Sequence, residues 1–226
     1  MNYLDIHTHT WYDHPETTVV LNVFAAETEK LQLPGFFSAG LHPWHVEENT
    51  WHEGVATVKQ ASQNPRVLAI GEAGLDKSID APYTIQLEAF RAQLQIAESA
   101  HKPLIIHCVH SYSEMLSIRK KADQTLPWIF HWFNADIQMA RELIRKNCYL
   151  SFGHMLFNPK SKAYGAFQYI PADRIFFETD NTGYSIEQVY EKAASLRNTG
   201  ITELKSRIMT NFGLCFQHLP ATWNIG

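Results

Sequence analysis

The sequence predicts a (β/α)8 barrel, and three observations carry the prediction. Eight short apolar runs rich in β-branched and aromatic residues recur along the chain, most of them are separated by segments of helical periodicity, and 226 residues come close to the roughly 250 such a barrel occupies. A doubly wound open sheet is the alternative that the same alternation allows. In order, the strands are expected at "YLDIH" (3–7), "TVVLNVF" (18–24), "GFFSAG" (35–40), "VLAIG" (67–71), "PLIIH" (103–107), "PWIFHWF" (127–133), "CYLSFG" (148–153) and "IFFETD" (175–180). The strongest helix falls over 82–101, where Ile85, Leu87, Phe90, Leu94, Ile96 and Ala97 form an apolar stripe. Segments 112–123, 135–147, 185–197 and 201–216 follow the same pattern.

The early connections break the scheme. From His9 to Thr18 there are too few residues for a helical crossover, which needs about 10 to 12, and "AAETEKLQLP" is only slightly longer. The first two crossover helices are therefore expected to be shortened or missing. The apolar flank this exposes should be covered by a late segment, such as the C-terminal "FQHLPATWNIG", or by a second subunit. With no linker, repeat or low-complexity stretch in view, residues 1–226 are expected to form one domain.

Composition narrows the function. Nineteen Lys plus Arg against 23 Asp plus Glu give a net charge of −4, which does not suit a protein that coats duplex nucleic acid through phosphate contacts. Any nucleic acid would be held at a local site. Cys108, Cys148 and Cys215 are odd in number and widely spaced, so free thiols are expected in place of disulfides or a zinc ribbon. No run of about 18 apolar residues occurs and the N-terminus has no signal-peptide pattern, so a cytoplasmic location and no membrane partner are expected. The oligomeric state is left open.

Polar residues finish almost every strand. His7 and His9 are two apart and share one face of an extended chain. The third strand runs into "GLHPWH" with His42 and His45, the fourth into "IGEAGLD" with Glu72, the fifth ends at His107, the sixth at His131 and the eighth at Asp180. In a barrel all of these lie at the C-terminal face, where active sites are built. Imidazoles and carboxylates gathered there are a ligand set for divalent metal, and four histidines with two carboxylates exceed what one tetrahedral ion takes. Two ions are the economical reading, with Glu72 able to bridge them through its two oxygens. Zinc, manganese and magnesium all suit this mixed donor set. A modified lysine bridge is excluded, because no lysine ends any of these strands.

The ordered set "DIHTH", "GLHP", "IGEAGLD" before "YTIQLEAFRAQLQIA", "KPLIIH", "FHWF", "ETD" and a late "NF" before "LCF" resembles the TatD family of metal-dependent deoxyribonucleases, within the amidohydrolase-type barrels. The resemblance runs from about residue 4 to 216. It implies that His7, His9 and Asp180 bind one metal, that His107 and His131 bind the other, and that Glu72 bridges them. It further implies that Asp180 orients or deprotonates the attacking water, and that the substrate is DNA or another phosphodiester. Asp5, one step deeper on the face of His7 and His9, is expected to hold an imidazole N–H, with a purely structural buried carboxylate as the alternative.

The chain also departs from the family pattern. The arginine usual two places after the strand-5 histidine is Val109, with His110 beside it, and His154 stands at the end of the seventh strand. His42, His110 and His154 are the candidate substrate contacts. Trp44, Trp132, Phe133 and Tyr184 are candidates for stacking bases near the mouth, and Lys160 and Lys162 for touching a phosphate backbone. "RKK" (119–121) reads as a solvated helix end. The rival functions are hydrolysis of a small phosphodiester, ester or amide, which Val109 and the acidic surface favour, and a degenerate barrel used for binding.

Overall fold

The computed structural model describes residues 2–216. Eight strands, β1 (Tyr3–Thr8), β2 (Thr17–Phe24), β3 (Phe36–Gly40), β4 (Val67–Asp76), β5 (Leu104–Val109), β6 (Trp128–Phe130), β7 (Cys148–Phe152) and β8 (Ile175–Phe177), pair in parallel in chain order. The sheet closes on itself just beyond β8. The Asp180 amide donates to the carbonyl of His7 at 2.9 Å, and Thr8 and Asp180 form a bridge. An open doubly wound sheet is thereby excluded, and the closing seam lies between two candidate ligands.

Seven α-helices are found among the described residues. They are α1 (Trp51–Ala61), α2 (Tyr83–Ala100), α3 (Tyr112–Arg119), α4 (Ile137–Ile144) and α5 (Lys162–Phe167) between strands, then α6 (Ile186–Arg197) and α7 (Ile201–Cys215) after β8. None is long and apolar enough to cross a membrane. Helix α1 was not singled out by periodicity because it buries only Trp51, Val58 and Ala61, too sparse a stripe to stand out.

As expected, β1 and β2 are joined without a helix, and β2 and β3 by a short 3-10 turn at Thr28–Gln32. The expected cover by a late segment is found on β1, under α6, and is corrected on β2 and β3, where earlier parts of the chain supply it. There Leu21, Val23, Phe37 and Ala39 form a small apolar cluster, closed by Leu31 of the 3-10 turn and Ala61 of α1. Arg66 fastens this lid by donating to the carbonyls of Leu31 and Leu33 while its guanidinium lies 5.1 Å from the Phe37 ring centre. On β1 the cover is α6, whose buried Tyr190 hydroxyl exchanges hydrogen bonds with both backbone groups of Leu4 at 3.2 Å. Most of the C-terminal segment, residues 217–226, lies outside the described residues.

Lys120 and Lys121 are solvated at the helix end as expected of "RKK", and Arg119 is the correction. Its side chain is fully buried, donates to the carbonyls of Lys146, Asp123 and Gln124, and stacks over Trp128 at 5.0 Å. The loops entering β6 and β7 carry carbonyls that no ladder satisfies, and one planar five-donor group serves three of them. This knot lies at the N-terminal end of the barrel, away from the histidines.

Candidate metal centre

Glu72 stands at the middle of the histidine cluster because its strand allows unusually close neighbours. Gly71 has φ +139°, and a Cβ there would lie 2.3 Å from the Ile105 carbonyl oxygen; a Cβ on Gly74 would lie 1.8 Å from that of His107. Only glycine permits this approach of β4 to β5. The Glu72 amide donates to Asn22 Oδ1 at 2.7 Å, and Ser38 Oγ donates to the same oxygen at 3.0 Å, so three neighbouring strands fix the carboxylate's backbone.

Five histidines surround the buried carboxylate. On one side Glu72 Oε2 is 3.4 Å from Nε2 of both His7 and His9, and Asp180 Oδ1 is 3.5 and 3.2 Å from the same two nitrogens. On the other side Glu72 Oε1 is 2.6 Å from His131 Nε2, 2.7 Å from His107 Nδ1 and 3.0 Å from His42 Nε2. All six residues expected as ligands, and His42 with them, converge on one place. Of the other two substrate candidates, His154 is half-buried with its ring 4.6 Å from that of Trp132. His110 is exposed at φ +53° and makes none of the hydrogen bonds or ion pairs that join the cluster.

The donor set fits divalent metal. Bonds of about 2.0–2.2 Å from a tetrahedral ion place neighbouring donors roughly 3.4 Å apart, close to the spacing within the His7, His9, Glu72 and Asp180 group. His7 points the same way, because both its ring nitrogens are buried without a hydrogen bond, as is His131 Nδ1. Unsatisfied buried donors and acceptors are rare, and a cluster of them calls for a missing partner. Around Glu72 Oε1 the spacing is that of direct hydrogen bonds, and a cation there would spread the ligands slightly.

Charge follows the same pattern. Burial raises the Glu72 carboxyl, but His131, His107 and His42 outweigh it and hold it well below the usual carboxylate range. Burial lowers His7, and the carboxylates of Asp180 and Glu72 more than reverse this. Burial also lowers His107, yet Asp76 and Glu72 raise it to about 9, whereas His131 is brought down to about 4 chiefly by burial. Asp180 is opposed by burial but held far below its ordinary value by His7 and His9.

The supporting residues were partly missed by the sequence reading. Asp76 Oδ2 lies 3.1 Å from His107 Nε2 and accepts the Trp44 indole N–H at 2.9 Å. Glu72, Gly74 and Asp76 are alternate residues of one strand and so share a face, a pattern that could have found Asp76. Asn22, the one polar residue inside the apolar run "VVLNVF", was equally legible. Glu178 is buried, accepts the Trp132 amide N–H, and is pushed up to about 8 by burial. Of the two readings of Asp5 the structural one holds: it accepts the Thr179 amide at 3.0 Å, the Thr179 hydroxyl at 2.6 Å and the Tyr12 hydroxyl at 2.9 Å, and no imidazole. Its role is to anchor the residue before Asp180.

The rim separates the aromatic candidates. Phe133 is buried in the core, whereas Trp44, Trp132 and Tyr184 remain 64%, 41% and 37% exposed, Tyr184 with its ring stacked on Phe157 at 3.9 Å. A cleft of about 350 Å³ opens next to Asp180, and neither Lys nor Arg is among its lining residues. Lys160 and Lys162 are exposed on the chain after β7.

A family model described as TatD related DNase matches residues 15–217. The chain belongs to the TatD family. The match begins after His7 and His9, so their part in the centre rests on the geometry above. Among relatives of this TatD-family chain, an uncharacterized metal-dependent hydrolase of Bacillus subtilis, YabD, is 32% identical over 187 residues, covering 76% of this chain and 73% of that protein. The 3'-5' ssDNA/RNA exonuclease TatD of Cronobacter turicensis is 30% identical over 167 residues, covering 71% of this chain and 62% of that protein. Among solved structures, the TatD homolog YJJV from Escherichia coli K12 superposes with a TM-score of 0.82 at 21% identity, covering 96% of this chain and 98% of that one. This last likeness shows the fold. Family and donor cluster together make the TatD-family chain a metal-dependent hydrolase.

Proposed function

We propose that this chain hydrolyses phosphodiester bonds of DNA at the C-terminal mouth of its barrel, using two divalent ions of zinc, manganese or magnesium. The observation that carries the reading is Glu72, a single buried carboxylate whose two oxygens face two separate histidine groups. His7, His9 and Asp180 would hold one ion with Glu72 Oε2, and His107 and His131 the other with Oε1. When bound, such ions lower the pKa of water and neutralise charge on a phosphoryl group. Asp180 orients the attacking water and accepts its proton, and Glu72 keeps the two histidine groups in register. His42 and His154 would touch the substrate, and Trp44 and Trp132 at the rim would stack its bases. The acidic balance of the chain leaves phosphate attraction to the ions, so binding is local to the centre. A relative named as a single-strand exonuclease supports the substrate class.

A second reading, hydrolysis of a small phosphodiester, ester or amide, is favoured by the cleft beside Asp180, whose lining includes neither Lys nor Arg to follow a phosphate backbone. The two separate in one assay. Protein stripped with chelator and reloaded with each ion is offered single-stranded DNA beside a panel of small phosphodiesters, esters and amides. Metal-dependent loss of DNA supports the proposal; turnover of small substrates with intact DNA would replace it with the second reading.

A further inference from the structure

Proximity groups His42, Glu72 and His107 as one more set of donors able to surround a cation. Their hydrogen bonds to the surroundings say otherwise. His42 caps the short 3-10 turn Pro43–His45, and its Nδ1 lies 3.1 Å from the backbone nitrogen of Trp44. A backbone N–H only donates, so Nδ1 must accept, and a neutral imidazole in that position carries its proton on Nε2. That proton faces Glu72 Oε1 at 3.0 Å and His107 Nδ1 at 3.1 Å.

His107 is fixed the opposite way round. Its Nε2 lies against Asp76 Oδ2, which also takes the Trp44 indole N–H, while Asp76 Oδ1 accepts the amide and hydroxyl of Ser78 at 2.8 and 2.5 Å. Three donors besides His107 already hold this carboxylate as an acceptor. His107 therefore keeps a proton on Nε2 and turns Nδ1 toward Glu72 as its ligating end. Trp44 acts on both rings, through its backbone on one and through its indole on the other.

We infer that Trp44 and Asp76 are positioning residues that make His107 a metal ligand through Nδ1 and make His42 a hydrogen-bond donor that stays off the metal. The inference rests on the proposed metal centre but not on its substrate. His42 thus offers an N–H to an oxygen arriving beside Glu72, as a phosphoryl group would.

The test needs no substrate. Zinc is titrated into metal-free protein against a competing chelator, and imidazole nitrogen resonances are recorded with and without zinc, the His42 signals being assigned by their loss in His42→Gln. Asp76→Asn should weaken one zinc equivalent about 10–100-fold, and His107→Gln should abolish it, while His42→Gln should change zinc affinity less than about threefold. His42 should carry its proton on Nε2 in both states. Thermal melting checks that each variant folds, and Trp44→Phe, at an exposed ring, tests the same Asp76 oxygen should Asp76→Asn unfold: it should weaken that same equivalent without lowering the melting temperature. A proton on His42 Nδ1, loss of a zinc equivalent in His42→Gln, or unchanged zinc binding in both Asp76→Asn and Trp44→Phe would overturn the inference. Absence of any zinc binding would overturn it together with the metal centre. The predicted zinc pattern in a protein that leaves DNA intact would remove only the proposed substrate.

Discussion

Replacing Asp180 by Asn separates holding a metal from moving a proton. The backbone tolerates the change, because Asp180 sits at φ +52°, and Asn accepts the left-handed region as readily as Asp does. Its amide and carbonyl remain tied to His7 and His9, at 2.9 and 3.4 Å, so the side chain starts from the same point. An amide oxygen can still occupy the position 3.2 and 3.5 Å from His9 and His7 Nε2, but it carries no charge and accepts a water proton poorly. Metal affinity at that position should therefore fall, and excess metal should restore occupancy. Turnover should remain about 10²–10⁴-fold down, the usual contribution of a positioned base. The assay measures metal content and phosphodiester cleavage in parallel, with His131→Gln as the contrast that should first lose metal. Near-normal turnover by metal-saturated Asp180→Asn would refute the base assignment. Full rescue by added metal would reduce Asp180 to a ligand.

Three further outcomes are expected. Asp5→Ala strands the Thr179 amide and hydroxyl in a buried site and should cost about 3 kcal/mol in urea unfolding, a loss below about 1 kcal/mol being inconsistent with the anchor. Gly74→Ala drives a Cβ into the His107 carbonyl and should destabilise by about 3 kcal/mol or yield insoluble protein; a melting temperature equal to wild type would show that β4 and β5 are not held so close. Trp132→Ala should raise KM for single-stranded DNA by about tenfold with kcat little changed, and Phe should recover most of the affinity, as stacking of a base on an exposed ring requires. Equal KM values for Ala, Phe and Trp would remove the ring from the binding surface.

The chain's own periodicity determined the barrel, because strands buried on both faces must be apolar throughout and the helices between them must carry one apolar stripe. It also determined which end held the chemistry, since His7, Glu72, His107, His131 and Asp180 all stand where an apolar run stops. Even the shortened early crossovers were legible from residue counts. What the sequence left undecided was which side chain faces which atom. Nothing local distinguishes Asp5, which fastens Thr179, from a partner of His7 two residues away on the same face. Arg119 looks like a solvated cation until the loops before β6 and β7 surround it with carbonyls. His42 and His107 are the same residue type at equivalent strand ends, and only the turn at Trp44 and the carboxylate of Asp76 determine which nitrogen of each keeps a proton. Periodicity is a property of neighbours in the chain, and hydrogen-bond direction is a property of neighbours in space, so the second had to wait for the closed barrel.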